Sequence, residues 1–189
     1  MISIHVQSMM GFKKPHEALL LQSFALGERL LNSKEVWDDI SQFSYLVKKR
    51  KFFIGREYWA TINRFSHTTH TNDKVLETIM SGFDNGDGVD HQIDIVAEAY
   101  YSNEGVIARA MVGPGNVNYV KWNEKFLGDG TVPGVVKTFL HEYCHRVGYG
   151  HPYNRTSDRN YSVPYAVGHI GENRARAYLA GAPLNLINL

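Results

Sequence analysis

His141, Glu142, His145, Gly148 and His151 are spaced as H-E-x-x-H-x-x-G-x-x-H. Histidines four apart on a helix project from one face, one turn above the other. Two imidazoles at that spacing can grip one metal ion. Gly148 can take the left-handed conformation that ends a helix and turns the chain back. That turn would bring His151 to the same ion as a third ligand. Three protein ligands leave a fourth tetrahedral position open to water, the arrangement of catalytic rather than structural zinc. Glu142, beside the first ligand, is placed to take a proton from that water.

A helix has to hold these residues. Thr131 is a candidate N-cap, and Pro133 fits a first turn, where no amide donor is needed. Val136, Phe139, Leu140, Tyr143 and Val147 form an apolar stripe, with Thr138, His141, Glu142 and His145 on the other side. One face would pack into a core while the other looks onto a cleft. A helix from about 133 to 147 would span roughly 22 Å at 1.5 Å per residue. Cys144, inside the motif, points partly away from the histidines and reads as a small buried helix residue.

The chain of 189 residues is long enough for one domain over 1–189 with a sizeable core. Its 43% apolar and 21% charged residues are ordinary for a soluble globular protein. A net charge of +1 argues against a dedicated nucleic-acid binder. No apolar run approaches the ~20 residues of a membrane helix. Lys13, Lys14 and Pro15 stand where a secretory leader would need its apolar region. A single cysteine suits a reducing compartment, so the expected localisation is cytoplasmic.

Upstream of the motif, Leu19, Leu20, Phe24, Leu26, Leu30 and Leu31 set a helix over about 16–31. Ser33 can cap a second, with Val36, Trp37, Ile40, Phe43 and Leu46 inward. Its end, Lys48 to Lys51 with Arg50, reads as a solvated helix terminus where cations suit the dipole. Phe52 to Ile54 is strand-like. His67 and His70 read as surface-loop histidines, and a short helix is expected over about 73–81. The acid-rich stretch from Asp84 to Asp90 lacks the spacing of a calcium loop and reads as a tight turn. Strands are expected at Ile93–Tyr101, Val106–Val112 and Val117–Trp122. The fold class is therefore α+β: N-terminal helices, then a small mixed sheet packed on the motif helix.

The motif resembles that of the zincin metallopeptidases, and its long form resembles the metzincin branch. The resemblance is specific over residues 141–151 and weaker over about 91–123. It implies a zincin-like fold with a Zn2+ cofactor on His141, His145 and His151. Glu142 would be the general base, and the substrate a peptide or protein lying along an edge strand, here Val117–Trp122. No nucleic-acid or membrane partner is expected. Metzincins also place a methionine turn beneath the metal. None of the five methionines follows His151. Ser162-Val163-Pro164-Tyr165 looks like a shortened version of that turn, with Pro164 where methionine would be. The resemblance is thus to a minimal zincin.

Tyr165 then has two readings: a hydroxyl that steadies the oxyanion, or a ring packed under the site. His169 and Glu172 are alternative ligands, since some zincins draw a glutamate from a downstream helix. Glu172 otherwise begins a last helix over 172–180. Two other functions share the pattern. An rRNA-maturation endoribonuclease family has the same histidine spacing but usually no Glu after the first His. A non-catalytic zinc-stabilised binding or effector module would need only the ligands.

Overall fold

The computed structural model describes residues 1–45, 71–84, 88–110, 119–151 and 157–187. The Lys48–Lys51 run, Phe52–Ile54, His67 and His70 lie outside them, as do residues 85–87 and 111–118. The chain opens with a strand, β1 (Ser3–Met10), whose side chains alternate between exposed and part-buried up to a register shift between Val6 and Ser8. Helix α1 (Lys14–Leu31) follows, with a proline in its first turn and Leu20, Phe24, Gly27, Leu30 and Leu31 among its buried residues.

Helix α2 (Lys34–Gln42) starts at Ser33, whose side chain accepts the Val36 amide at 3.4 Å. Helix α3 (Asn72–Met80) starts at Thr71, which accepts the Lys74 amide at 3.3 Å. These hydroxyls satisfy amides that have no partner inside the helix. Strands β2 (Gln92–Tyr100), β3 (Ala108–Arg109) and β4 (Tyr119–Asn123) come next, then the short helix α4 (Glu124–Leu127). Helix α5 (Val132–Arg146) carries the first two motif histidines, and helix α6 (Val163–Leu179) ends the fold after a 3-10 turn at Ser157–Tyr161. Among the described residues no helix is long and apolar enough to cross a membrane.

The four strands lie in the order β1-β2-β4-β3. The first two neighbour pairs are parallel and β3 is antiparallel to β4, so the sheet is mixed. Parallel neighbours need a crossover. Helices α1 to α3 make the one between β1 and β2. This order overturns one expectation: among the described residues β4, which overlaps the expected Val117–Trp122, is internal, and β1 and β3 are the edge strands. Strand pairing is non-local, and the local pattern of β4 does not say which neighbour lies beyond it.

Phe24 joins the layers. Its ring centroid lies 6.1 Å from Trp122 on β4 and 5.1 Å from Phe139 on α5. Burying an aromatic of this size stabilises by roughly 1.5–3 kcal/mol. Gly27 lets α1 cross α5 closely, since a Cβ there would stand 3.1 Å from the Phe139 ring. Helix α5 packs against α1 through Phe139. Its most extensive contact is with α6, whose Gly168 and Gly171 lie against Lys137, His141, Leu140 and Val136.

Candidate metal centre

Thr131 caps α5 as its sequence suggests, accepting the Gly134 amide at 3.3 Å, with Pro133 in the first turn. The helix ends at Arg146, and Gly148 adopts φ +101°. That conformation, which favours glycine, folds the chain back so that the Tyr149 amide donates to the Cys144 carbonyl at 2.9 Å. Tyr149 is then fully buried. Its own carbonyl accepts a hydrogen bond from Nδ1 of His145 at 2.7 Å. The same turn delivers His151.

The three motif histidines converge. One ring nitrogen from each lies within 4.8 Å of the others. His145 is buried, while His141 and His151 are part-exposed, so the cluster has a mouth. Nε2 of His145 and Nε2 of His141 stand 3.2 Å apart. A carbonyl only accepts, so the bond to Tyr149 puts the His145 hydrogen on Nδ1. The backbone of Pro164 likewise bonds the His141 ring. Proline has no amide hydrogen, so this partner too is a carbonyl. Nε2 of His145 thus presents its lone pair to the His141 ring.

Burial, then the neighbouring histidines, hold His141 well below the usual imidazole range. Burial holds His145 down to about 4. Both rings are therefore neutral, the form that ligates a metal. Tetrahedral coordination with bonds of roughly 2.0–2.1 Å separates ligand nitrogens by about 3.3–3.4 Å. The donor set, its spacing and the backbone carbonyls that fix each ring fit zinc.

Glu142 lies on the same helix and is 6% exposed. Burial pushes its carboxyl up to about 8, opposed by a hydrogen bond from the Ala110 backbone. A cation at the histidines would pull it back down. Cys144 is fully buried, and desolvation pushes its thiol up, so it is inert packing.

Tyr165 lies against the cluster. Its ring centroid is 4.5 Å from His141, at 86°, and 4.9 Å from His151. The segment Ser162–Tyr165 does pass beside the histidines, but it is no free-standing turn. Ser162 is the N-cap of α6, and Val163 and Pro164 open the helix. Gly168 and Gly171 bring α6 onto α5. A Cβ at Gly168 would stand 2.8 Å from the Lys137 carbonyl, and one at Gly171 would clash with Leu140.

His169 and Glu172, weighed as alternative ligands, do not join the cluster. Both sit within α6 rather than at the start of a later helix. The Glu172 carboxylate is held by Lys137 Nζ at 2.9 Å and by Arg176 at 2.8 Å. Two cations occupy the oxygens a metal would need.

Behind the site, Tyr143 donates to the Ile79 carbonyl at 2.6 Å. Arg146 donates to the Asp84 carbonyl at 2.5 Å, with its Nε 3.6 Å from the Asp84 carboxylate. These bonds tie the back of α5 to α3 and the turn after it. One residue escaped sequence reasoning entirely. The guanidinium of Arg159 lies 4.7 Å over the Tyr165 ring, and no local spacing connects it with the motif.

No protein-family model matches this chain. No curated protein matches it either. Among solved structures, a zinc peptidase from Grifola frondosa aligns at 15% identity with a TM-score of 0.46, over 87% of this chain and 98% of that one.

Proposed function

We propose that the chain is a minimal, metzincin-like zincin: one domain over 1–189 that hydrolyses peptide bonds with zinc on His141, His145 and His151. The observation that carries the reading is the convergence of three motif histidines, with a ring nitrogen of each within 4.8 Å of the others and a buried glutamate beside the first. Zinc, when bound, lowers the pKa of water and polarises a carbonyl.

The chain's own residues supply the rest. Glu142 takes the proton of the attacking water and hands it to the leaving amine. Tyr165, against two of the ligand rings, offers its hydroxyl to the oxyanion. The edge strand β3 gives an extended substrate its place. Ala108 opposes Trp122, Arg109 opposes Lys121, and the Ile107 carbonyl bonds the Asn123 amide. In that register residues 107 and 109 turn their main-chain groups toward β4, and Ala108 and Ala110 turn theirs outward. The Ala110 backbone already meets Glu142. A peptide pairing with Ala108 would therefore run past the general base.

A peptide-library digest read by mass spectrometry tests the proposal. Zinc-loaded protein should cut peptides and leave a structured RNA intact. Glu142→Gln should keep its metal and lose about 100- to 10,000-fold in turnover. Loss of zinc from that variant would make Glu142 a ligand and refute the mechanism. Cleavage of the RNA alone would replace it with a nuclease.

A further inference from the structure

His145 is the one buried member of the histidine cluster. Its Nδ1 donates to the Tyr149 carbonyl at 2.7 Å. Tyr149 lies beyond the end of α5, in the stretch that Gly148 turns back. Its main chain is held at both ends, because its amide donates to the Cys144 carbonyl at 2.9 Å. Its side chain is fully buried, and its hydroxyl is hydrogen-bonded to the side chain of Thr78 on α3. The Thr78 hydroxyl donates to the Lys74 carbonyl at 2.7 Å. Toward Tyr149 its oxygen therefore accepts, and the phenol donates.

Helix α3 thus supports the centre while none of its residues belongs to the histidine cluster. Thr78 holds Tyr149, and the next residue, Ile79, accepts the Tyr143 hydroxyl at 2.6 Å. These two phenols stand on either side of His145 in the chain, yet they fasten different things. Tyr143 fastens the body of α5. Tyr149 fastens the carbonyl that binds the ligand ring. A buried ring tied at its far end leaves its own main chain little room to move, so the carbonyl stays aimed at Nδ1. Such a bond decides which nitrogen carries the hydrogen, orients the imidazole and raises the basicity of the opposite nitrogen.

We infer that Tyr149 is a positioning residue for His145: its carbonyl fixes the ring with the lone pair on Nε2, and the Thr78 hydroxyl, through the phenol, fixes that carbonyl. The inference rests on the zinc reading of the three histidines. It deepens that reading by placing a determinant of metal affinity on a helix far upstream of the motif.

The test compares side-chain variants of the whole chain, zinc-loaded and metal-free. Tyr149→Phe keeps the ring and removes the hydroxyl. Its zinc affinity, read by competition with a chromogenic chelator, should fall by about 10- to 100-fold, the scale for losing a group that orients a ligand. The visible spectrum of the cobalt-substituted variant should shift from that of wild type. Nitrogen NMR of labelled histidine in the metal-free protein should place the His145 hydrogen on Nδ1 in wild type and give mixed tautomers in Tyr149→Phe. Thr78→Val should weaken zinc in the same direction, and Thr78→Ser should restore it. The double variant should lose no more than Tyr149→Phe alone, since both remove one bond. Tyr143→Phe should lower the melting temperature and leave zinc affinity and tautomer as they are. Wild-type affinity and a single tautomer in Tyr149→Phe overturn the inference. So does an equal loss of zinc affinity in Tyr143→Phe and Tyr149→Phe, which would reduce both phenols to general support of α5. Should Tyr149→Phe fail to fold, Thr78→Val and Thr78→Ser decide the matter, and equal zinc affinity in the two overturns the inference. If wild type takes up no zinc while the His145 tautomer still depends on Tyr149, the zinc reading fails and the positioning of His145 stands.

Discussion

Nε2 of His145 faces Nε2 of His141 across 3.2 Å, and the Tyr149 carbonyl holds the hydrogen on Nδ1 of His145. The lone pair on Nε2 of His145 is thereby aimed at its neighbour, as in a preformed chelate. Protein purified without added metal should therefore contain about one zinc per chain. Chelation should lower the melting temperature. Zinc at a hundredfold excess over its Kd stabilises by about 2.7 kcal/mol, which corresponds to a shift of roughly 5–10 °C at this chain length. Alanine at His141, His145 or His151 should each lower the metal content sharply. Full zinc occupancy in His151→Ala would remove that residue from the ligand set.

Much of this centre is written locally. The i, i+4 histidines, the Thr131 cap and the left-handed Gly148 are consequences of neighbours within a few residues, and each can be read from the chain. The strands Gln92–Tyr100 and Tyr119–Asn123 also stand where alternation puts them. What was not legible depends on distant partners. Ile4 and Val6 alternate with His5 and Gln7, but so short a pattern becomes a strand only by pairing with Gln92–Tyr100 far along the chain. The rank of β4 inside the sheet is set by β3, which contributes only two residues. Ser162-Val163-Pro164 looks like a turn because proline often stops helices. Here it opens one, since the first helical positions need no amide donor. Arg159 reaches the site only because the 3-10 turn and α6 are packed as a unit.

The approach of α6 to α5 depends on Gly168. Its Cβ would meet the Lys137 carbonyl at 2.8 Å and the His141 Cβ at 3.4 Å. A backbone atom cannot swing aside as a side chain can, so Gly168→Ala must push the helices apart. Overpacking of this kind typically costs 1–3 kcal/mol. The displaced helix carries Pro164 and Tyr165, so zinc affinity should fall along with stability. Competition with a chromogenic chelator reads the first and thermal melting the second. Unchanged zinc affinity with a lowered melting temperature would make the glycine a packing residue alone.

Asp84 gives the fold a pH dependence of known sign. Its side chain is fully buried, and desolvation pushes the carboxyl up to about 7 despite the pull of Arg146. The unfolded group titrates near 3.9. Below that value both states are protonated and the group is neutral in its effect. From there to about pH 7 the unfolded chain ionises while the native state keeps its proton, so this group's contribution to stability falls as pH rises. A raised carboxyl pKa of this size amounts to a few kcal/mol. Asp84→Asn removes the titration, so its melting temperature should change less between pH 5 and pH 8 than that of wild type. Parallel curves for the two proteins would show that Asp84 stays ionised throughout.

Tyr165 completes the wall of the centre opposite Glu142's helix. Its ring meets His141 edge-on at 4.5 Å and His151 at 4.9 Å. A ring alone would suffice as packing. In the peptidase reading its hydroxyl also donates to the oxyanion that forms during hydrolysis. Tyr165→Phe separates the two roles, because it keeps the ring and removes only the hydroxyl. Zinc content and melting temperature should hold. Turnover should fall by roughly 10²- to 10³-fold, the scale for losing one such donor, and the loss should sit in kcat because the oxyanion exists only in the transition state and the intermediate it resembles. Full turnover in Tyr165→Phe would reduce the residue to the packing role, and a loss that came with departed zinc would make it part of the metal's support.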